Sequence, residues 1–157
     1  MGYYVSGHGS IRIKAENLDA CYKALVALND YPHKRGGTWS PGEGQIASWF
    51  SWMPQDLSTI PDTKSMWEEL GFDTTISSLD DSNGDLVIFA YDNKTGQEEI
   101  FAEAAAPFVV PGSEFYWRGE DGLLYRWSFD GVAFYVAEGY TEYGAPVPQQ
   151  RLTAQKV

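Results

Sequence analysis

His8-Gly9-Ser10 is the first group along the chain with the makings of a catalytic site. A His-x-Ser or His-x-Thr pair repeated on two strands sets two imidazoles against one phosphate, one as general acid and one as general base. The chain has two histidines, and the second, His33, runs into Lys34-Arg35 instead of repeating the pattern. His8 therefore reads as a histidine at a turn or bulge. Cys21 is the sole cysteine. As a nucleophile it would need a neighbouring base and positive surroundings, whereas its spacing with Leu18, Leu25 and Leu28 marks it as a small core residue. The run Asp80-Asp81-Ser82-Asn83-Gly84-Asp85 has the carboxylate density of a calcium loop. With Gly84 in the sixth position, however, Leu79 and Ala90 fall at the first and twelfth, where carboxylates are required, so the run reads as a solvated turn. There is no Gly-x-Ser-x-Gly elbow and no phosphate-cradling glycine loop ending in Lys-Ser or Lys-Thr. Paired carboxylates for glycoside hydrolysis are defined by a distance in space, and nineteen acidic residues between positions 36 and 150 make chance pairs common. These residues point to no catalytic group, no metal site and no cofactor. They favour a non-enzymatic protein, with a small carboxylate-dependent hydrolase as a distant alternative.

Binding chemistry is better represented. Trp39, Trp49 and Trp52 could stack a sugar or a base, and six Trp with ten Tyr exceed what one core of this size needs to bury. Tyr116, Arg118, Arg126 and Tyr135 are the second group. Tyr and Arg are the residue types enriched at binding hot spots, and a guanidinium stacks on aromatic rings.

The elements that must position these groups follow from periodicity and turn chemistry. Residues 3–14 read as a strand ending in alternating Ile11-Arg12-Ile13-Lys14. Residues 16–29 read as a helix with Asn17 as N-cap, followed by a Gly- and Pro-rich loop over 32–44. An aromatic strand over 46–53, a connector over 54–61 and a short helix through Met66, Trp67 and Leu70 come next, with Gly71 ending the helix. Strands over 74–79 and 86–91 flank the acidic turn, where Asn83-Gly84 is a turn signal. Residues 95–106 allow a strand over 97–103, but the capping-box spacing of Thr95 and Glu98 and the alanines at 102, 104, 105 and 106 favour a helix.

The last three strands, 114–118, 123–129 and 132–137, are the best determined. A three-residue loop with Gly122 in the left-handed region pairs Trp117 with Tyr125, Tyr116 with Arg126, and Phe115 with Trp127. A two-residue turn at Asp130-Gly131 would pair Trp127 with Phe134 and Arg126 with Tyr135. Both registers put Phe115, Trp117, Tyr125, Trp127, Phe129, Val132, Phe134 and Val136 on one face. Glu114, Tyr116, Arg118, Leu124, Arg126, Ser128 and Tyr135 fall on the other, with Arg126 between Tyr116 and Tyr135. The expected architecture is α+β: a mostly antiparallel sheet with about three helices on one face, a C-terminal three-stranded meander, and room for a ferredoxin-like split β-α-β unit. Residues 1–143 form the expected single domain and 144–157 a flexible Pro-containing tail.

Composition bounds the rest. The chain of 157 residues is 43% hydrophobic and 15% aromatic, which suits one globular domain. No apolar run reaches the roughly 18 residues of a membrane span, and the start lacks the pattern of a secretory signal. One cysteine allows no internal disulfide, so a cytoplasmic protein is expected. The net charge of −11 is concentrated between residues 36 and 150, where four basic residues face nineteen acidic ones. Direct nucleic-acid binding is therefore not expected. The acidity serves solubility or meets a basic partner.

The opening Met-Gly-Tyr-Tyr-Val-Ser-Gly-His-Gly-Ser-Ile-Arg-Ile and the stretch Gly112-Ser-Glu-Phe-Tyr-Trp-Arg-Gly-Glu-Asp-Gly-Leu-Leu-Tyr-Arg-Trp resemble small uncharacterised proteins of actinobacteria and their phages. That resemblance covers about a third of the chain and implies a small cytoplasmic accessory protein. The expected function is a protein-interaction module, of the kind a phage uses to modulate a host protein, acting through an acidic or a Tyr/Arg surface. The alternative is a sugar- or nucleotide-binding protein that uses exposed Trp and Tyr.

Overall fold

The structure, a computed structural model, describes residues 3–31, 52–96 and 98–149. Strand β1 (Tyr4–Ile13) leads through a 3-10 turn into helix α1 (Leu18–Val26), and a second 3-10 turn, Ala27–Asp30, ends the expected helical stretch. Asn17 stands at the N-cap but makes no side-chain cap. The 3-10 turn holds it at φ −103°, ψ −2°, and a capping side chain reaches the first turn only from an extended residue. Asp62 is extended and does cap: its Oδ1 accepts from the Ser65 N–H at 2.8 Å to open helix α2 (Thr63–Leu70), which Gly71 closes at φ +115°. The Thr63 hydroxyl donates to the Leu18 carbonyl at 2.7 Å and ties α2 to α1.

Strands β2 (Phe72–Ile76) and β3 (Leu86–Lys94) follow, joined by the acidic turn with Gly84 at φ +89°. The expected helix over 95–106 is present as helix α3, Glu98–Ala105, followed by a 3-10 turn over Ala106–Phe108. The Glu98 carboxylate accepts from the Thr95 hydroxyl and the Gly96 N–H, at 2.9 and 2.7 Å. The Thr95 N–H is already committed to the Tyr3 carbonyl. The meander is β4 (Glu114–Gly119), β5 (Leu124–Phe129) and β6 (Phe134–Gly139). The strand expected over residues 46–53 lies outside the described residues except for Trp52 and Met53, which sit in a turn and not a strand.

The six strands form one antiparallel sheet in the order β2-β3-β1-β4-β5-β6. Because β1 and β2 both run antiparallel to β3 between them, β1 and β2 are parallel to each other. By the same logic β3 and β4 are parallel across β1. The helices connect these parallel strands, so the first four strands make two interleaved split β-α-β units, and β5 and β6 extend that sheet. The buried side chains of α1 (Cys21, Leu25), α2 (Met66, Trp67, Leu70) and α3 (Phe101, Ala102, Ala105) join Val5, Ile11, Ile13, Leu86, Ile88, Phe115, Trp117, Trp127 and Phe129 of the sheet in one core.

Two glycines of β1 set the shape of that core. A Cβ on Gly7 would lie 2.3 Å from Cε1 of Phe115, and one on Gly9 would lie 2.3 Å from the Glu114 carbonyl oxygen and 2.8 Å from the Phe115 Cα. The Phe115 and Trp117 rings therefore lie over β1 and meet Phe72, whose centroid is 5.6 Å from Phe115 and 5.8 Å from Trp117. Filling either position overpacks the core at a cost of about 1–3 kcal/mol. Gly9→Ala should lower the urea midpoint more than Gly7→Ala, because a ring can turn aside and a backbone carbonyl cannot. Equal midpoints for the two variants and the parent chain would refute this packing.

Candidate functional site

The sheet face away from the helices carries the candidate site. Alternation along β1 puts Tyr4, Ser6, His8 and Ser10 on that face as exposed residues, and β4 adds Tyr116 and Arg118. Among the described residues the three helices all contribute to the core on the opposite side. In register, His8 lies opposite Tyr116 and Tyr116 opposite Arg126, while Ser6 lies opposite Arg118 and Arg118 opposite Leu124. The His8 and Tyr116 rings stack with centroids 5.7 Å apart and planes at 26°. Oε2 of Glu114 accepts from the Tyr116 hydroxyl at 3.1 Å and pairs with Nη1 of Arg126 at 3.5 Å. Arg126 is thus turned toward a carboxylate, and the ring that stacks on Tyr116 is an imidazole, not the guanidinium expected. Arg118 has no side-chain partner among the described residues. It borders a hollow of about 150 Å³ shared with Ser6, His8, Tyr116 and Leu124. A second hollow, of about 330 Å³, continues past Leu124 between Arg126, Ala137 and Tyr140.

Tyr135 is the sequence-predicted member that does not stand where expected. The first hairpin keeps the expected pairs, Trp117 with Tyr125, Tyr116 with Arg126 and Phe115 with Trp127, with Gly122 at φ +87°. In the second, Trp127 pairs with Val136, Arg126 with Ala137, and Tyr135 with Ser128. The turn is centred on Gly131-Val132, one residue later than the expected Asp130-Gly131. The reason is conformational. A turn centred on Asp130-Gly131 of type I′ needs positive φ at both residues, and among the described residues no side-chain-bearing position has it, while Gly131 does at φ +92°. Asp130 stays on the strand side and accepts from the Val132 and Ala133 N–H groups at 2.9 and 2.8 Å, and from the Tyr135 hydroxyl at 2.8 Å. Those bonds, the Ala133 N–H first, hold the Asp130 carboxyl below its usual range. Moving the turn by one residue moves the register by two, so every face assignment survives and Tyr135 is diagonal to Arg126 instead of opposite it. Val132 is the exception on the apolar face, since it sits in the turn and is exposed.

The structure therefore unites Tyr116, Arg118 and Arg126 and adds His8, Glu114 and Leu124. His8 had a usable signal, the exposed alternation of β1, but its partner strand is remote in the chain. Its reading as a bulge histidine agrees with the register shift that begins at His8. Cys21 is fully buried, as its helical spacing implies, and burial pushes its thiol up to about 12. Asp85 of the acidic run is buried and accepts from the Ala15 N–H at 3.0 Å, which makes it a tie between β3 and the start of the first helical turn. His33, Trp39 and Trp49 lie outside the described residues, and Trp52 is partly exposed. Among the described residues, no group of three or more His, Cys, Asp or Glu side chains could hold a metal ion, and no helix is long and apolar enough to cross a membrane. No family model, no curated protein and no solved structure matches this chain.

Glu98 is the described carboxylate whose pKa is raised, and it lies in the core, not in the site. Burial pushes it up, and the Gly96 and Thr95 hydrogen bonds oppose that push. Its charge in turn helps raise the hydroxyls of Tyr91 and Tyr125, whose main cause is burial. Between an ordinary glutamate value of about 4.3 and the raised value, the folded chain holds more protons than the unfolded chain. Stability therefore falls as pH rises through that interval. Urea midpoints measured across it should fall in the parent chain and stay flatter in Glu98→Gln. Parallel profiles would remove Glu98 as the cause.

Proposed function

We propose that this protein is a non-enzymatic protein-interaction module that modulates a partner protein through the open sheet face around Tyr116, Arg118 and Arg126. The observation that carries the reading is Arg118, an exposed guanidinium with no side-chain partner among the described residues, at the rim of a hollow it shares with Ser6, His8, Tyr116 and Leu124. Arg118 and Arg126 are two of the four basic residues between positions 36 and 150, so a partner bearing a carboxylate finds its complement here and like charge over the rest of that span. Leu124 and Tyr116 supply apolar contact beside the charge, the mixture found at the centre of protein interfaces. Cytoplasmic location and a role as an accessory factor, such as a phage-type modulator of a host protein, fit this reading.

Affinity capture from a lysate at low and high salt, read by quantitative mass spectrometry, tests it. A specific protein should be retained by the parent chain, fall about tenfold or more in affinity with Arg118→Glu or Arg126→Glu, and weaken as salt rises. Capture of the same protein by all three chains would sink the proposed face, and salt-insensitive binding would sink its charge basis.

A second reading has its own observation. The hollow of about 330 Å³ walled by Tyr116, Arg126 and Tyr140 is at the small end of ligand-site volumes, and Trp117 borders both hollows. For a bound nucleotide or sugar, tryptophan fluorescence should change saturably on titration and lose that response in Tyr116→Ala. A flat response across carbohydrates and nucleotides would dispose of it.

A further inference from the structure

The two edges of the sheet differ in how they are guarded. The β2 edge is five residues long, carries the charged Asp73, shifts register between Asp73 and Thr74, and has its Thr74 hydroxyl drawn to Oε1 of Glu68 on α2 at 3.0 Å. Each of these is a device that blocks strand addition. Among the described residues the β6 edge has no such register shift and no helix side chain bonded to it. It runs six residues, Phe134–Gly139, in unbroken register with β5, without proline and with Glu138 as its single charge. Val136 and Tyr135 are about half exposed on its two faces.

The hydrogen-bond pattern shows which backbone groups are left over. The Gly119 N–H donates to the Leu123 carbonyl and the Phe129 N–H to the Ser113 carbonyl, so the odd-numbered residues of β5 face β4. Antiparallel bonding alternates, and Leu124, Arg126 and Ser128 therefore bond to Gly139, Ala137 and Tyr135 on β6. The Asp130 N–H to Ala133 carbonyl bond continues that series. The N–H and C=O groups of Phe134, Val136 and Glu138 consequently point outward, with no partner among the described residues.

We propose that β6 pairs with β6 of a second copy of this chain, antiparallel and centred on Val136, joining two sheets into one. Only a register that places Val136 opposite Val136 and Phe134 opposite Glu138 brings all three outward residues of each copy into bonded pairs. It keeps both helical layers on the same side of the joined sheet, because opposed residues of a ladder share a face. It also sets the single charge of the strand against a phenyl ring and not against its own copy. The pairing is independent of the Tyr/Arg face. The two respond oppositely to salt: screening weakens attraction of a carboxylate to Arg118 but eases association of two chains that each carry −11.

Sedimentation equilibrium on the full chain should show a monomer–dimer equilibrium that shifts toward dimer as salt rises. Val136→Pro removes the central donor at a position where an edge strand tolerates proline, and Val136→Lys opposes two like charges on the axis. Both should be monomeric with far-ultraviolet spectra like the parent. Register is read by cysteine cross-linking. Two bonded residues have Cα atoms about 5.5 Å apart, within disulfide reach, so Val136→Cys should form a covalent dimer with oxidised glutathione. Glu138→Cys would place its pair four residues apart along the ladder, about 14 Å, and should not, and Cys21 is buried and does not compete. A parent chain that stays monomeric at every concentration leaves the edge to some other strand and overturns the proposal. So does a dimer that survives both Val136 variants, or one that cross-links through Glu138→Cys.

Discussion

Phe115 and Trp117 can lie over the central strand because Gly7 carries no side chain there, and the β4 backbone can approach because Gly9 carries none. Beyond β1 they meet Phe72, whose ring also touches Trp67, Tyr91 and Trp127 at centroid distances of 5.1, 4.7 and 6.2 Å. The two wings of the sheet, β2-β3 and β4-β5-β6, are thus joined twice, by the ladder through β1 and by rings that pass over it. The arrangement carries a cost. The indole N–H groups of Trp67, Trp117 and Trp127 are buried without a hydrogen-bonding oxygen or nitrogen. An unpaired buried donor costs about 1–3 kcal/mol, relieved in part by the faces of the rings around it. The core accepts that loss for the dispersion and apolar burial of closely packed rings.

Drawing these large aromatics to one side determines the character of the other. Opposite the helices the sheet shows Ser6, Ser10, Ser128, Ala137 and Gly139 between the larger His8, Tyr116, Arg126 and Leu124. Small residues beside large ones make hollows; Tyr116 and Leu124 border both of those found there, and Arg118 borders the smaller. The same strand alternation that builds the core therefore builds a surface with relief and with positive charge, on a chain whose composition is strongly acidic.

Local rules carried the meander a long way. The hairpin at Gly122 was legible to the residue, because a single left-handed glycine admits one loop length there. The hairpin at Gly131 was legible in its faces but not in its pairs. Asp-Gly and Gly-Val turns differ by one residue, and the choice fell to the side chain of Asp130, which bonds to two backbone N–H groups and so keeps the aspartate out of the turn centre. The helix over residues 98–105 followed from the spacing of Thr95 and Glu98 and from its alanines. Asn17 shows the limit of such signals, since a suitable residue in the cap position does nothing when the preceding turn holds it in helical geometry.

The sequence determined what depends on near neighbours: the class of fold, the end of α2 at Gly71, and which side chains of β4 and β5 turn inward. It also determined that Cys21 would be buried and the acidic run a turn. Only the tertiary structure decided that His8 would meet Tyr116, that Glu114 would take both the Tyr116 hydroxyl and Arg126, and that Arg118 would be left without a carboxylate. The first of those outcomes depends on β1 lying beside β4, a pairing between distant segments in which Gly7 leaves room for the Phe115 and Trp117 rings and Gly9 for the β4 backbone. Periodicity and turn propensity act over a few residues and carry no information about that fit.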